Sequence, residues 1–264
     1  MAVHFATIDK LIEEGFLMDS RFNSPAEIAS LVSKSGVTKS MLPLPKMILL
    51  GLMAGAFIAF GGAASDVAMH GVADVGLARV VAGTIFPVGL MLVVFTGSEL
   101  FTGNCLMIIP TLEKKIKPVS MIKNLVTVYI SNFVGAMIID LLITFSGQLN
   151  YSNGGLGAFT IKVALAKTTI NPATAIISGI LCNILVCLAI VMATGATDAI
   201  GKIFGVFFPI CAFVVCGFEH CVANMFYIPT GVMAAMNPEY VAKSSGALRY
   251  YGTAMSESCK SFGL

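Results

Sequence analysis

Five apolar stretches long enough to cross a bilayer constrain this chain more than any other feature: roughly Met47 to Ala68, Val80 to Ile109, Leu125 to Phe145, Ala173 to Thr194 and Ile203 to Ala235. A hydrocarbon core of about 30 Å takes about 20 helical residues. Inside it every backbone N–H and C=O must find a partner within the protein, so runs of this length predict helices. The second and fifth runs are too long for one simple span, and both carry polar residues near the middle. They read as broken helices. Composition agrees, with 57% hydrophobic and 11% charged residues against about 45–50% and about 25% in soluble domains. The expectation is an all-α integral membrane protein.

Charge placement predicts its orientation. Lys10, Arg21, Lys34, Lys39 and Lys46 precede the first run, and Lys114, Lys115, Lys117 and Lys123 separate the second from the third. The opposite connections carry only Arg79, then Lys162 and Lys167. Because Lys and Arg of short loops stay on the cytoplasmic side, the N-terminus is expected in the cytoplasm of a cell (plasma or inner) membrane. Three regions follow: an N-terminal segment over 1–46, a transmembrane domain over 47–235, and a polar C-terminal tail over 236–264. Within the first, Ile8, Leu11, Ile12 and Phe16 fit an amphipathic helix on the membrane surface, with a plain solvated helix as the alternative. The first 25 residues have mixed charge and no central apolar run, so no secretory signal is expected.

The net charge of +2 carries no sign of a nucleic-acid partner, and the partner implied is the lipid bilayer. Six of the seven cysteines lie within or beside apolar runs, and Cys259 stands in the tail. Their spacing matches neither a disulfide framework nor a zinc site, so they read as polarisable packing residues. No metal and no cofactor is expected. An enzyme would need paired catalytic groups, whereas the runs supply one histidine, two carboxylates at the breaks and Asp140, with no Cys-x-x-Cys or His-x-x-x-His pattern.

The two broken runs share a repeat about 120 residues apart: Phe-Pro at Phe86-Pro87 and Phe208-Pro209, then Gly-x-Glu-x-x-x-x-Asn at Gly97 to Asn104 and Gly217 to Asn224. Two related halves follow, the second inverted. Unwound backbone at membrane depth is tolerated only where protein buries it or a cavity solvates it, so the breaks point at a pathway. Glu99 and Glu219 read as structural braces that accept from the unwound N–H groups. His220, beside Glu219 and four residues before Asn224, reads as functional. An ionisable group at that depth is costly, about 2.5–3.5 kcal/mol for a central Asp, Lys or Arg on insertion scales.

Gly97-Ser98-Glu99-Leu100-Phe101-Thr102-Gly103-Asn104, the stretch Gly179 to Ala189 containing Asn183, and Gly217-Phe218-Glu219-His220-Cys221-Val222-Ala223-Asn224 continuing to Pro229 together resemble the formate/nitrite transporter family over about Met47 to Ala235. The resemblance implies an aquaporin-like protomer of two inverted three-helix repeats, with broken second and fifth helices, assembled as a homopentamer. It implies a channel or transporter for a small monovalent anion of a weak acid: formate, nitrite or hydrosulfide. It further implies a central His220 and Thr102 with Asn183 and Asn224 nearby, apolar constrictions at Phe86, Leu90, Leu100, Val186 and Phe213, and Lys167 drawing anions at the outer mouth. A sixth span belongs to the pattern and has no counterpart after Pro238, so the chain is either shortened against its relatives or closes the pore differently. A neutral-solute channel and a membrane protein that does not transport are the alternatives. Asn171-Pro172-Ala173 occurs once, before the fourth run, and reads as a helix start.

Overall fold

The computed structural model describes residues 22–247, and the expected surface helix around Ile8 to Phe16 and the tail from Leu248, Cys259 included, fall outside them. Helix α1 (Pro25–Ser40) is closed by a capping box, in which Ser24 N–H donates to Glu27 at 2.7 Å and Glu27 N–H to Ser24 Oγ at 3.4 Å. Then follow α2 (Leu44–Met69), α3 (Val75–Thr96), α4 (Phe101–Leu112) and α5 (Pro118–Phe145). The second half comprises α6 (Tyr151–Thr168), α7 (Pro172–Gly195), α8 (Ala199–Cys216), α9 (Cys221–Ala234) and α10 (Pro238–Ala247). Five of these, α2, α3, α5, α7 and α8, are long and apolar enough to span a membrane. Helices α4 and α9 are shorter apolar continuations beyond the breaks.

Small residues let the first half close tightly. Gly51 and Gly55, one turn apart on α2, face Ser131, Asn132 and Gly135 of α5. A β-carbon on Gly55 would stand 1.9 Å from the Asn132 carbonyl oxygen, and one on Gly135 would stand 2.0 Å from that of Leu52. In lipid, where no hydrophobic force joins helices, such backbone approach supplies the packing.

Two elements depart from the sequence expectation. The connection after Phe145 holds helix α6, in which no residue from Gly154 to Lys167 is exposed. Thr160, Lys162 and Lys167 interrupt its apolar sequence, so it lacks the continuous run that marks a span. The tail expected from residue 236 begins as α10, where Tyr240 is buried against Gly154 and Gly157 and donates to Asn150 Oδ1 at 2.5 Å. Asn171 accepts from Ala173 N–H at 2.9 Å, and Pro172 opens α7. Along α7, Ile176, Ile180, Ile184 and Leu188 expose one face at four-residue intervals.

Candidate permeation site

Both breaks have the same backbone cause. Gly97 (φ 68°) and Gly217 (φ 71°) end their helices in the left-handed conformation. Ser98 N–H then returns to Val93 O at 3.0 Å, and Phe218 N–H to Phe213 O at 3.1 Å. Glycine enters this conformation without the β-carbon penalty, which accounts for the first letter of the repeat.

The Glu and Asn of the repeat form a clamp. Asn104 Nδ2 donates to Glu99 Oε2 at 2.6 Å, and Asn224 Nδ2 to Glu219 Oε2 at 2.8 Å. A lysine from a preceding helix completes each: Lys39 of α1 reaches Glu99 at 2.5 Å, and Lys167 of α6 reaches both oxygens of Glu219 at 3.1 and 3.0 Å. The carboxylates therefore accept from side chains, and not from unwound N–H groups as expected. Those amides find other acceptors: Leu50 O for Glu99, Ser178 Oγ for Glu219, and Asn132 Oδ1 for Phe101. The two clamps differ in their surroundings. Asn124 Oδ1 accepts from Asn104 at 2.8 Å, while Asn132 Nδ2 donates to Gly51 O and Glu99 O. At the second clamp Asn224 Oδ1 is buried without a partner among the described residues, as is Asn183 Oδ1 on α7.

Between the clamps the two breaks meet. His220 Nε2 lies 3.1 Å from Thr102 Oγ1, and both residues are buried. His220 Nδ1 accepts from Ala223 N–H at 3.0 Å, making the imidazole the N-cap of α9. With Nδ1 as acceptor, the neutral ring carries its proton on Nε2 and donates it to Thr102. Above the ring, Phe213 stacks on His220 at 5.7 Å between centroids, and Phe86 meets Phe213 edge-on at 5.5 Å. Leu90, Leu100 and Val186 lie in the same buried apolar cluster.

His220 borders two cavities. One of about 310 Å³ is lined by Asp66, Arg79, Phe86, Lys167, Phe213 and Tyr227. The other, about 990 Å³, runs along α7 and is lined by Thr102, Asn183, Glu219 and Asn224 together with the exposed Ile176, Ile180 and Ile184. Sequence reasoning treated Lys39 and Arg79 only as topological charges and passed over Ser65, Asp66 and Tyr227. Lys39 is sixty positions from its carboxylate, so no local pattern announced the pair.

A helical bundle of this composition, interrupted twice around one polar pair, is a multi-pass membrane transport protein. A family model described as formate/nitrite transporter matches residues 26–253, and the chain belongs to that family. It is 43% identical over 233 residues to a probable formate transporter of Methanothermobacter thermautotrophicus, covering 81% of this chain and 85% of that one. It is 40% identical over 216 residues to the formate channel BtFdhC of Bacillus thuringiensis, covering 81% and 83%. Among solved structures, a pentameric formate channel with formate bound superposes with a TM-score of 0.69 at 30% identity, covering 79% of this chain and 84% of that one. The family's members are transporters and channels, so the chain's work is passage and not a covalent reaction.

Proposed function

We propose that residues 47–235 conduct formate, or another small weak-acid anion such as nitrite or hydrosulfide, through a protomer that assembles as a homopentamer with its N-terminus in the cytoplasm. The observation that carries this reading is the His220–Thr102 contact at 3.1 Å, made between two helix breaks, with His220 bordering two cavities. Formate channels among the relatives, one of them pentameric, support the substrate and the assembly.

The physical obstacle is the apolar collar of Phe86, Leu90, Leu100, Val186 and Phe213. Moving a carboxylate-sized ion from water into a low dielectric costs on the order of 20 kcal/mol in the Born limit, whereas a neutral polar molecule costs only a few. A weak acid escapes most of that barrier by crossing protonated. Lys167, which lines the smaller cavity, attracts the anion. The Thr102 hydroxyl, whose oxygen already accepts from His220, donates its own hydrogen to the passing acid. Asn183 and Asn224 present their free oxygens along the wall. His220 acts as a neutral donor: a second proton, on Nδ1, would face the Ala223 amide and break the cap of α9.

Proteoliposome flux tests this directly, with formate, nitrite and hydrosulfide compared on the parent chain, Thr102→Ala and His220→Asn. Formate flux well above empty liposomes in the parent chain, and reduced flux at every pH in both variants, is expected. Parent-like flux in both removes the assigned roles, and glycerol swelling without anion flux makes the chain a neutral-solute channel.

A further inference from the structure

The cavity of about 310 Å³ beside His220 contains a group that the proposed route does not use. Asp66, near the end of α2, is 4% exposed, lines this cavity, and leaves its Oδ2 without a hydrogen-bond partner among the described residues. Burying a carboxylate oxygen with no donor is costly, so such a group calls for a partner. The neighbouring hydroxyls do not supply one: Ser65 Oγ and Tyr227 Oη are 3.1 Å apart and engage each other.

The groups facing Asp66 come from every helix around the cavity. They are Arg79 of α3, Lys167 of α6, Tyr227 of α9, and Glu219 and His220 at the second break. On its own helix His70 is turned elsewhere, bonded to Val67 O at 2.7 Å and Ser152 Oγ at 2.8 Å. Lys167 is held by Glu219. Arg79 makes no ion pair among the described residues, and its guanidinium lies against Gly217, where a β-carbon would meet Nη1 at 2.9 Å. The cavity lining therefore combines guanidinium and ammonium donors with an unanswered carboxyl oxygen. A small carboxylate accompanied by one proton matches both, because it brings an acceptor to the cations and shares a hydrogen with the carboxyl.

Building on the formate reading above, we propose that this cavity loads a small carboxylate together with one proton, with Asp66 sharing the proton and Arg79 and Lys167 holding the anion. The step is a proton transfer. The O–H bond of the Asp66 carboxylic acid breaks, an O–H bond forms on the bound carboxylate, and the neutral acid moves on between Phe86 and Phe213. A hydronium ion at the cavity mouth then returns a proton to Asp66 and leaves as water. One anion and one solution proton enter for each neutral acid that moves on, so charge and atoms balance.

The test uses the full chain in proteoliposomes, with labelled formate uptake followed as the outside is taken from mildly alkaline to mildly acidic at fixed internal pH. Uptake by the parent chain is expected to rise toward acid. Asp66→Asn, which keeps shape and hydrogen-bonding capacity but holds no acid proton, is expected to reduce that rise at least about five-fold, since one linked proton changes occupancy by up to about tenfold per pH unit. Asp66→Glu is expected to restore the slope. Formate-induced infrared difference spectra of the unaltered chain give a second readout: an undissociated carboxyl band that shifts with carbon-13 formate and is absent in Asp66→Asn. A parent-like slope in Asp66→Asn, or no carboxyl band perturbed by formate, overturns the loading site. Formate flux absent from the parent chain while that band persists overturns the transport reading and keeps the site.

Discussion

His220 Nε2 and Thr102 Oγ1 are 3.1 Å apart although 118 positions separate them in the chain. The contact exists because each residue immediately follows its own helix break, and because the ring's other nitrogen is pinned by Ala223 N–H at 3.0 Å. One histidine thus does two jobs, capping α9 and presenting a donor to the gap.

Those jobs separate by substitution. Asparagine is a good N-cap, so His220→Asn is expected to keep thermal stability close to that of the parent while changing flux. His220→Leu loses the cap as well, at about 1 kcal/mol. Thermal unfolding of detergent-solubilised protein, run beside the flux assay, distinguishes the two. Equal unfolding temperatures would remove the capping role.

The Lys39–Glu99–Asn104 clamp is expected to be a stability element. Glu99→Ala leaves the Lys39 ammonium and one Asn104 N–H without their acceptor in a buried setting, for which a loss of about 2–3 kcal/mol is expected. Glu99→Gln retains an acceptor for Asn104 and should lose less. Denaturant unfolding checks the order, parent above Gln above Ala.

Glycines at the α2–α5 crossing and at the breaks should behave differently. Gly55→Leu has no room beside the Asn132 carbonyl and is expected to abolish accumulation of folded protein. Gly97→Ala meets open space and carries only the left-handed penalty, about 1–2 kcal/mol. Gly217→Ala carries that penalty and also displaces Arg79, so its formate uptake should fall further than that of Gly97→Ala. Similar uptake by the two would show that Arg79 has no part in entry.

How much of this could be read beforehand follows from the range of each interaction. Continuous apolar runs marked α2, α3, α5, α7 and α8, and the Gly-x-Glu-x-x-x-x-Asn repeat marked both breaks, because hydropathy and the left-handed turn are local properties. Helix α6 escapes that signal because Thr160, Lys162 and Lys167 break a short apolar sequence, although no residue from Gly154 to Lys167 is exposed. Lys39 and Asn132 were not recognisable as partners of the first break, since each lies more than thirty positions from Glu99 and only the fold brings them together. Asp66 was invisible for a related reason. An aspartate near a helix end ordinarily reads as a solvated terminus, and only packing by α3, α6 and α9 encloses it.

Acid should loosen α1 from the loop beyond α4. Lys115, at 2.8 Å, and then Ser33 hold the Glu113 carboxyl below its ordinary value. A carboxyl depressed on folding stabilises the fold above its unfolded value, and that contribution disappears as pH falls through the folded one. Amide exchange in α1 is therefore expected to quicken below the usual carboxylate range in the parent chain. In Glu113→Gln it should vary less across the same interval.

The paired clamps, Lys39–Glu99–Asn104 and Lys167–Glu219–Asn224, have a consequence for directionality. On the reading proposed above, a conduit whose two thresholds follow one blueprint contains no ratchet, so gradients decide which way solute runs. Any rectification must come from where the blueprints diverge: Asn124 and Asn132 shore up one threshold, whereas the other leaves the buried Asn224 oxygen without a partner among the described residues.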